Sequence, residues 1–478
     1  MRLKLLFPVC LVLIYSCAFK NEVADTIIHN AQIHALDGTM GTYDAMAIRD
    51  GRIIEIGPER QILNKYKSEN VVDIQKQHVY PGLIDGHCHF LGYGLGLQEV
   101  DLAGTKSWDD VMVRIEKHQK DYPSEWIIGR GWDQNDWEEQ VFPSRFMIDS
   151  VYANVPVVLS RIDGHAALIN SEAMRRAGIT GNEQVLGGEL IQEQGAFTGM
   201  LIDNAIDLVR KVMPQRTRED KIRALKEAEA NCLAVGLTTV DDAGLDKSDV
   251  ELIDELQKSG ELKMRIYAML SDTEENKDHF LKTGPYITDR LSVRAFKFYS
   301  DGALGSRGAF LIEPYSDRED GHSGFLLNTT EYFQDAAQKM YDAGFQMNTH
   351  CIGDKANREL LHIYASVLGG ANDRRWRIEH AQIVDRADIY LFGENSVIPS
   401  IQPTHATSDM YWAEFRLGRN RIRRAYAWKE LREQLGMVAL GTDFPVEGIN
   451  PLATFYAAVV RKDAKGYFYN ENDDYNGQ

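Results

Sequence analysis

Residues that can bind a metal stand at the ends of five strand-like apolar runs in this 478-residue chain. The runs are PGLIDGHCH with His87 and His89, VRAFKFYSDG with Lys297, FQMNTH with His350, RWRIEH with His380, and MVALGTDFP with Asp443. Parallel barrels place their chemistry at the C-terminal ends of strands, so these side chains are expected to converge. Neutral imidazoles and a carboxylate predict a divalent metal site, with zinc favoured and Mn²⁺, Fe²⁺ or Ni²⁺ as competitors.

Two features of this set indicate how the metal is held. His87 and His89 lie two residues apart, and side chains two apart on a strand share a face, so both imidazoles can bind one ion. Lys297 requires a different chemistry, because an ammonium group has no lone pair. A buried lysine that reacts with CO₂ becomes a carbamate, whose two oxygens can bridge two metals. The alternative for Lys297 is an ion pair with Asp301 or packing inside the barrel.

The ligands need a scaffold in which strands alternate with helices. Eight strand-like segments are found: GLIDGHCHF, GLTTVDD, MRIYAML, RAFKFYS, FQMNTH, RWRIEH, VIPSIQP and VALGTDFP. Stretches of helical composition lie between them at 217–234, 247–260, 330–343, 354–368 and 420–435. This alternation predicts an α/β fold, a closed TIM-like (β/α)₈ barrel, over residues 79–462.

Two other regions accompany the barrel. About 140 residues separate the first two strands, far more than an ordinary connection. We place this insertion at about 91–232 and expect it over the active-site face. It is either a substrate-specificity element or a purely structural insertion that packs on the barrel wall. Residues 25–78 contain short strand patterns with turns at Asp37-Gly38 and Asp50-Gly51, which predicts the N-terminal part of a small β-domain, a β-sandwich that is incomplete here.

The N-terminus carries a processing signal. Arg2 and Lys4 precede an apolar run over 5–15 that is too short to span a membrane, which predicts a signal peptide over 1–16. Ile14-Tyr15-Ser16-Cys17 resembles a bacterial lipobox, so Cys17 is expected to be lipidated and 17–24 to form a linker. The residue after Cys17 is Ala18 and not aspartate, so the expected location is the cell envelope, anchored in the outer membrane facing the periplasm. A secreted or soluble periplasmic protein is the alternative.

The net charge of the chain limits the kinds of binding partner that we expect. The net charge is −18, whereas a nucleic-acid-binding protein needs a basic face. The expected partners are a small-molecule substrate and the membrane, through the anchor at Cys17; self-association into a homo-oligomer is compatible with the sequence.

Nine motifs together resemble the amidohydrolase superfamily, and most closely amidohydrolase family 3, which includes YtcJ-like proteins and N-substituted formamide deformylases. They are PGLIDGHCH, GWDQNDW, RIDGHAALINS, GLTTVDDAG, KFYSDGALGSRGA, NTHCIGD, RIEHAQ, QPTHATSD and GTDFPVEGINP. The resemblance implies two metals. His87, His89 and Asp443 would hold one, His350 and His380 the other, and carboxylated Lys297 would bridge them. It also implies that the family continues further, so that 463–478 is a tail and the C-terminal segment of the β-domain is missing.

The resemblance implies hydrolysis of a non-peptide amide-type C–N bond in a small molecule, an N-substituted formamide or an N-acyl compound. A metal-bridging hydroxide would attack, and Asp443 would pass the proton to the leaving nitrogen. Substrate contacts are expected from His165, His405 and Trp132, with Trp137 beside it, and ligand-orienting roles from Asp242, Asp301 and Arg307; a structural role is open for each.

Two other functions compete with this one. A mononuclear deaminase on the same barrel is opposed by Lys297 and by the run Cys351-Ile352-Gly353-Asp354, which lacks the glutamate of that class. A non-catalytic, lipid-anchored metal-binding protein is the second alternative.

Overall fold

The structure is a computed structural model that describes residues 22–38 and 41–468. The predicted signal peptide and lipidation site, 1–16 and Cys17, lie outside the described residues, as do the end of the tail and most of the linker. The chain divides after Gly82 into two units, Met1–Gly82 and Leu83–Gln478. Within the described part, every helix falls short of the length and apolar character that a membrane span requires.

The smaller unit is made of short strands and one helix. Its four-stranded sheet contains Thr26–His29, Ala45–Arg49, Arg52–Gly57 and Asn70–Asp73; a second sheet contains Gln32–His34, Thr42–Tyr43 and His78–Val79; Glu22–Val23 pairs with Tyr66–Lys67, and the helix is Glu59–Lys65. Asp50 and Gly51 have φ values of 52° and 69° and join two antiparallel strands in a two-residue turn. Asp37 and Gly38 instead lie in the longer connection between Gln32–His34 and Thr42–Tyr43.

The larger unit is built on eight parallel strands. They are β1 (Leu83–Cys88), β2 (Leu237–Leu245), β3 (Arg265–Ser271), β4 (Leu291–Tyr299), β5 (Gln346–Cys351), β6 (Arg377–His380), β7 (Ile398–Ile401) and β8 (Ala439–Leu440). Each pairs in parallel with the next, and Tyr286–Ile287 is added antiparallel to β4. The chain after β8 returns to β1, since the amide of Asp443 donates to the carbonyl oxygen of His87 at 2.8 Å. The predicted parallel barrel is confirmed.

Glycines allow this closure. A Cβ atom on Gly441 would lie 2.4 Å from the backbone nitrogen of His87, and one on Gly86 would lie 2.7 Å from the carbonyl oxygen of Leu440. Such distances exclude a side chain, so β1 and β8 come together only because both positions are glycine.

Helices connect the strands and bury apolar faces against them. They are Phe90–Gly96, Arg218–Ala234, Lys247–Ser259, Glu274–Thr283, Thr330–Ala343, Asp354–Leu368, Tyr390–Glu394, Pro403–Ser408, Ala413–Arg421, Trp428–Leu435 and Pro451–Val460. Arg218–Ala234 begins with a capping box, in which the Thr217 hydroxyl accepts from the Asp220 amide and the Asp220 carboxylate accepts from the Thr217 amide. This helix packs on Phe90–Gly96 as part of the barrel, so the inserted structure ends before it.

The insertion has its own mixed six-stranded sheet. In spatial order its strands are Val100–Asp101, Ile127–Trp132, Val157–Arg161, Ala166–Ile169, Ala196–Asp203 and Gly188–Glu193, with helices Trp108–Asp121, Arg145–Asp149, Ser171–Ala177 and Asp207–Arg210. Leu159 and Leu168 are fully buried in a core on one face of this sheet, and Ala167 and Ile169 in a core on the other. The insertion is thus a layer with apolar packing of its own and not a long loop.

Candidate metal centre

The predicted ligands meet at the C-terminal end of the barrel, around Asp443. Nε2 of His87 and Nε2 of His89 lie 3.5 and 3.3 Å from Oδ1 of Asp443. On the other side of the carboxylate, Nε2 of His405 lies 3.6 Å from Oδ2 and Nδ1 of His380 lies 4.0 Å from it. Two groups of three potential ligands therefore share one carboxylate, His87-His89-Asp443 and His380-His405-Asp443.

The bonding of these atoms fits a metal. Oδ1 of Asp443 and Nε2 of His405 are buried, and neither has a hydrogen-bond partner among the described residues. Leaving a buried carboxylate oxygen unsatisfied is unfavourable. Imidazole nitrogens that face a carboxylate without hydrogen-bonding it are explained by a cation between them, and this donor set is one that zinc prefers.

Hydrogen bonds orient the imidazoles. Nδ1 of His87 lies 2.6 Å from Oε2 of Glu379, Nδ1 of His89 lies 2.9 Å from the carbonyl oxygen of Ala243, and Nδ1 of His380 lies 2.7 Å from Oε1 of Gln402. A proton on each Nδ1 satisfies these acceptors and leaves Nε2 with its lone pair.

The carboxylate that holds His87 stays ionised. Burial alone would raise the pKa of Glu379, but the positive charge of Arg377 and the hydrogen bond from His87 bring it down to about 2. Sequence reasoning missed Glu379 and Gln402. The available signals were their positions, one residue before His380 in RIEH and just after the last residue of β7 in IQPTH.

Lys297 is fully buried beside these histidines. Its Nζ lies 3.3 Å from Nε2 of His87. Burial lowers the pKa of Lys297 although Glu379 and Asp443 favour the charged form. Asp301 is engaged elsewhere, because its carboxylate accepts from the amides of Phe310, Ile352 and Gly353 at 2.8, 3.0 and 2.8 Å. The neighbour of Lys297 is therefore a metal-site histidine and not Asp301.

His350 lies next to the second ligand group without joining it. Its ring centroid is 4.6 Å from that of His380 and 4.8 Å from that of His165. Its Nε2 is 3.5 Å from the carbonyl oxygen of Gly302. The structure thus brings His350 to the centre, while His405, expected to touch substrate, faces Asp443.

The backbone is strained at two of the ligands. His380 and Asp443 have φ values of 72° and 63°, in the left-handed region that side chains other than glycine rarely adopt. Such conformations persist when surrounding contacts impose them, and they concentrate at functional sites.

A cavity of about 770 Å³ lies over the ligands, lined by both the barrel and the insertion. The insertion contributes Arg130, His165 and Asp203 to its wall. Nδ1 of His165 lies 2.6 Å from Oδ1 of Asp203, so this carboxylate orients the ring. Asp203, missed from the sequence, ends the strand Ala196–Asp203 of the insertion.

Several expected substrate or orienting residues have structural roles. Trp132 was expected to contact substrate, but it is fully buried in the core of the insertion, where its Nε1 donates to the carbonyl oxygen of Leu159 at 2.8 Å. Trp137 lies in the same core. Arg307 pairs with Asp317 at 2.8 Å. Asp242 accepts from the amides of Phe90 and Leu91 at 2.9 and 3.1 Å, which fixes the chain directly after His89.

Comparison with known proteins gives consistent matches. Residues 70–476 match the model of the amidohydrolase family. The chain is 32% identical to Protein LONG AFTER FAR-RED 3 of Arabidopsis thaliana, over 92% of this chain and 78% of that protein. It is 30% identical to the YtcJ protein of Bacillus subtilis (strain 168), over 90% of this chain and 83% of that protein. The crystal structure of an uncharacterized metal-dependent hydrolase from Pyrococcus furiosus superposes with a TM-score of 0.71 at 26% identity, covering 91% of this chain and 88% of that one.

Proposed function

The chain belongs to the amidohydrolase family, and we propose that it is a metal-dependent hydrolase that cleaves the amide-type C–N bond of a small molecule, such as an N-substituted formamide or an N-acyl compound. The observation that carries this proposal is the position of Asp443, a buried carboxylate with one oxygen facing His87 and His89 and the other facing His405. That arrangement suits a group that binds metal and moves a proton.

Two divalent ions, most simply zinc, are proposed as cofactors. His87, His89 and Asp443 would hold one; His380, with His350 or His405, would hold the other. Ions bound there would polarise a carbonyl group and make a water molecule acidic enough to yield hydroxide near neutral pH.

We propose that Lys297 is carbamylated and holds both ions. Its Nζ is fully buried against a histidine, where an ammonium group would meet no carboxylate partner among the described residues. The neutral amine would add to the carbon of CO₂, forming an N–C bond and releasing one proton. The product carries two anionic oxygens, which the metal centre would stabilise.

The protein's own groups would divide the remaining tasks. The Asp443 carboxylate would take a proton from the attacking water and deliver it to the departing nitrogen, since an amine leaves more readily once protonated. His165, which Asp203 holds at the cavity wall, would donate a hydrogen bond to the carbonyl oxygen of the substrate. The insertion would limit access of bulk water to the site.

The test is turnover of a panel of formamides and N-acyl compounds by zinc-loaded enzyme, followed by detection of the released amine. Asp443→Asn is expected to lower kcat by roughly 100-fold or more, the scale of losing general acid–base catalysis. Asp289→Asn, at an exposed site, is the matched control. Ammonia released from amino-heterocycles, with no amide cleaved, would support the mononuclear deaminase instead. Bound metal without turnover of either class would support the non-catalytic alternative.

We further propose that the mature protein is anchored in the cell envelope by a lipid on Cys17. The proposal is supported by the apolar run and lipobox-like sequence before that residue. Cys17→Ser is expected to move the protein from the membrane fraction to the soluble fraction. An unchanged distribution would contradict the anchor.

A further inference from the structure

We propose that Arg130 binds a carboxylate group of the substrate, so that the enzyme prefers amides carrying an acid group, such as N-acyl amino acids, over neutral amides. This inference rests on the proposed amide hydrolysis and deepens it by naming the substrate class.

Arg130 has N–H donors that are not hydrogen-bonded to any described residue. It lies in the strand Ile127–Trp132 of the insertion and lines the cavity. One of its five N–H groups is used, by Nη2, which donates to the carbonyl oxygen of Ile162 at 3.0 Å. Its Nε is buried and has no partner in residues 22–38 and 41–468. In the same residues no carboxylate lies within 4.0 Å of the guanidinium.

The other charged residues of the cavity wall outside the metal centre each have a side-chain partner. Asp133 and Asp163 both pair with Arg161, and Asp207 pairs with Arg210 at 2.5 Å. Asp136 pairs with Lys106 at 3.0 Å; Asp409 accepts from the Tyr426 hydroxyl at 2.6 Å, and Glu447 accepts from the Ser408 hydroxyl at 2.6 Å. Of the described charged residues that line the cavity outside the metal centre, Arg130 is therefore the one whose partner is a backbone carbonyl alone.

Such an arginine needs an anion. A half-buried guanidinium loses hydration without gaining an ion pair, and its planar fork matches a carboxylate through two parallel hydrogen bonds. Gly164 lies beside the guanidinium, since a Cβ there would be 3.4 Å from Nη2, so the neighbouring residue adds no side chain over the fork.

Arg130 and the metal centre share one cavity of about 770 Å³, which has room for a small substrate. The wall of this cavity includes Arg130 of the insertion together with His89, His380 and Asp443 of the metal centre. A substrate molecule in this cavity would have its carboxylate at Arg130 and its amide carbonyl at the metal centre.

The first test compares two substrates that differ in one group. N-acetylleucine, as either enantiomer, carries a carboxylate, and N-isopentylacetamide is the same molecule without it. Arg130→Gln is expected to raise KM for N-acetylleucine by roughly 10- to 100-fold, the value of a charge-assisted hydrogen bond, and to change KM for the neutral amide far less. Arg130→Lys should lie between the two. Arg294→Gln, at an exposed arginine of β4, is the control.

A second test does not need activity. Calorimetric titration of metal-free protein with N-acetylleucine should give binding that Arg130→Gln weakens and Arg294→Gln does not. If no amide of any kind is cleaved, the proposed reaction fails while this titration still decides the role of Arg130. Equal losses for the charged and neutral amides, or equal binding of N-acetylleucine to wild type and Arg130→Gln, would overturn the proposal.

Discussion

Nδ1 of His87 lies 2.6 Å from Oε2 of Glu379, and both side chains are fully buried. The pair links β1 to β6 across the barrel and sets which nitrogen of the imidazole faces Asp443. Glu379 acts without contacting a metal, because it orients the imidazole of His87, which is the proposed ligand.

Glu379→Gln is expected to weaken metal binding by about 10- to 100-fold, the usual cost of losing such an orienting carboxylate. The amide can still accept a hydrogen bond, but it no longer offers His87 a negative charge. Competition with a zinc chelator would measure the change. The control is Glu433→Gln on the exposed face of helix Trp428–Leu435, and equal affinity in the two variants would contradict the orienting role.

Lys297→Ala is expected to reduce the metal content from about two ions per chain to one or none when protein is prepared with bicarbonate. The physical reason is the loss of the two carbamate oxygens. Elemental analysis gives the stoichiometry directly. A single ion in wild type that persists in the variant would exclude the carbamate, and Lys282→Ala, at an exposed position, controls for the removal of a lysine.

Asp203→Asn is expected to lower kcat by roughly 10-fold while leaving metal content unchanged, since it releases His165 and not a metal ligand. Oδ1 of Asp203 lies 2.6 Å from Nδ1 of His165, whereas Asp203 has no part in either ligand group. The measurement pairs steady-state kinetics with elemental analysis. Loss of metal in this variant would show that Asp203 supports the fold of the whole centre instead.

Gly441→Ala is expected to destabilise the protein by about 1–3 kcal/mol, the cost of forcing a methyl group into packed structure. The added carbon would lie 2.4 Å from the His87 backbone nitrogen. Thermal unfolding would report a lower Tm together with reduced metal content, because His87 itself must move. At Gly96 an added Cβ meets nothing within 4 Å, so Gly96→Ala should leave Tm unchanged.

The smaller unit offers a pH prediction. Hydrogen bonds from Lys65, Tyr66 and Gln61 lower the pKa of Glu55 to about 2, below its ordinary 4.5. A depressed carboxylate pKa stabilises the folded state fully above pH 4.5, and this contribution disappears as pH falls towards 2. The Tm difference between wild type and Glu55→Gln should therefore be constant from pH 7 to 5 and narrow below that. Glu69→Gln, exposed in the same unit, should show no such trend.

The sequence was sufficient to predict the barrel and the meeting of its ligands, because residue type and strand periodicity carry that information. It was not sufficient to predict side-chain direction. His405 follows β7 and was expected to face substrate, yet its Nε2 faces Asp443. Trp132 was expected to contact the substrate, yet it packs in an apolar core of the insertion. Glu379 is 292 residues from His87, and no local pattern connects two such distant positions.

The barrel and the insertion contribute different groups to the site, and this separation has an evolutionary consequence. The groups proposed to hold metal come from barrel strand ends, whereas Arg130 and His165 come from a layer with its own apolar cores. Mutations in that layer, apart from those at His165 and Asp203, can accumulate without displacing the side chains proposed to hold metal. Descendants of one ancestral enzyme can thus exchange substrates while keeping the same chemistry, and transplanting residues 97–217 between relatives is a way to transfer substrate preference.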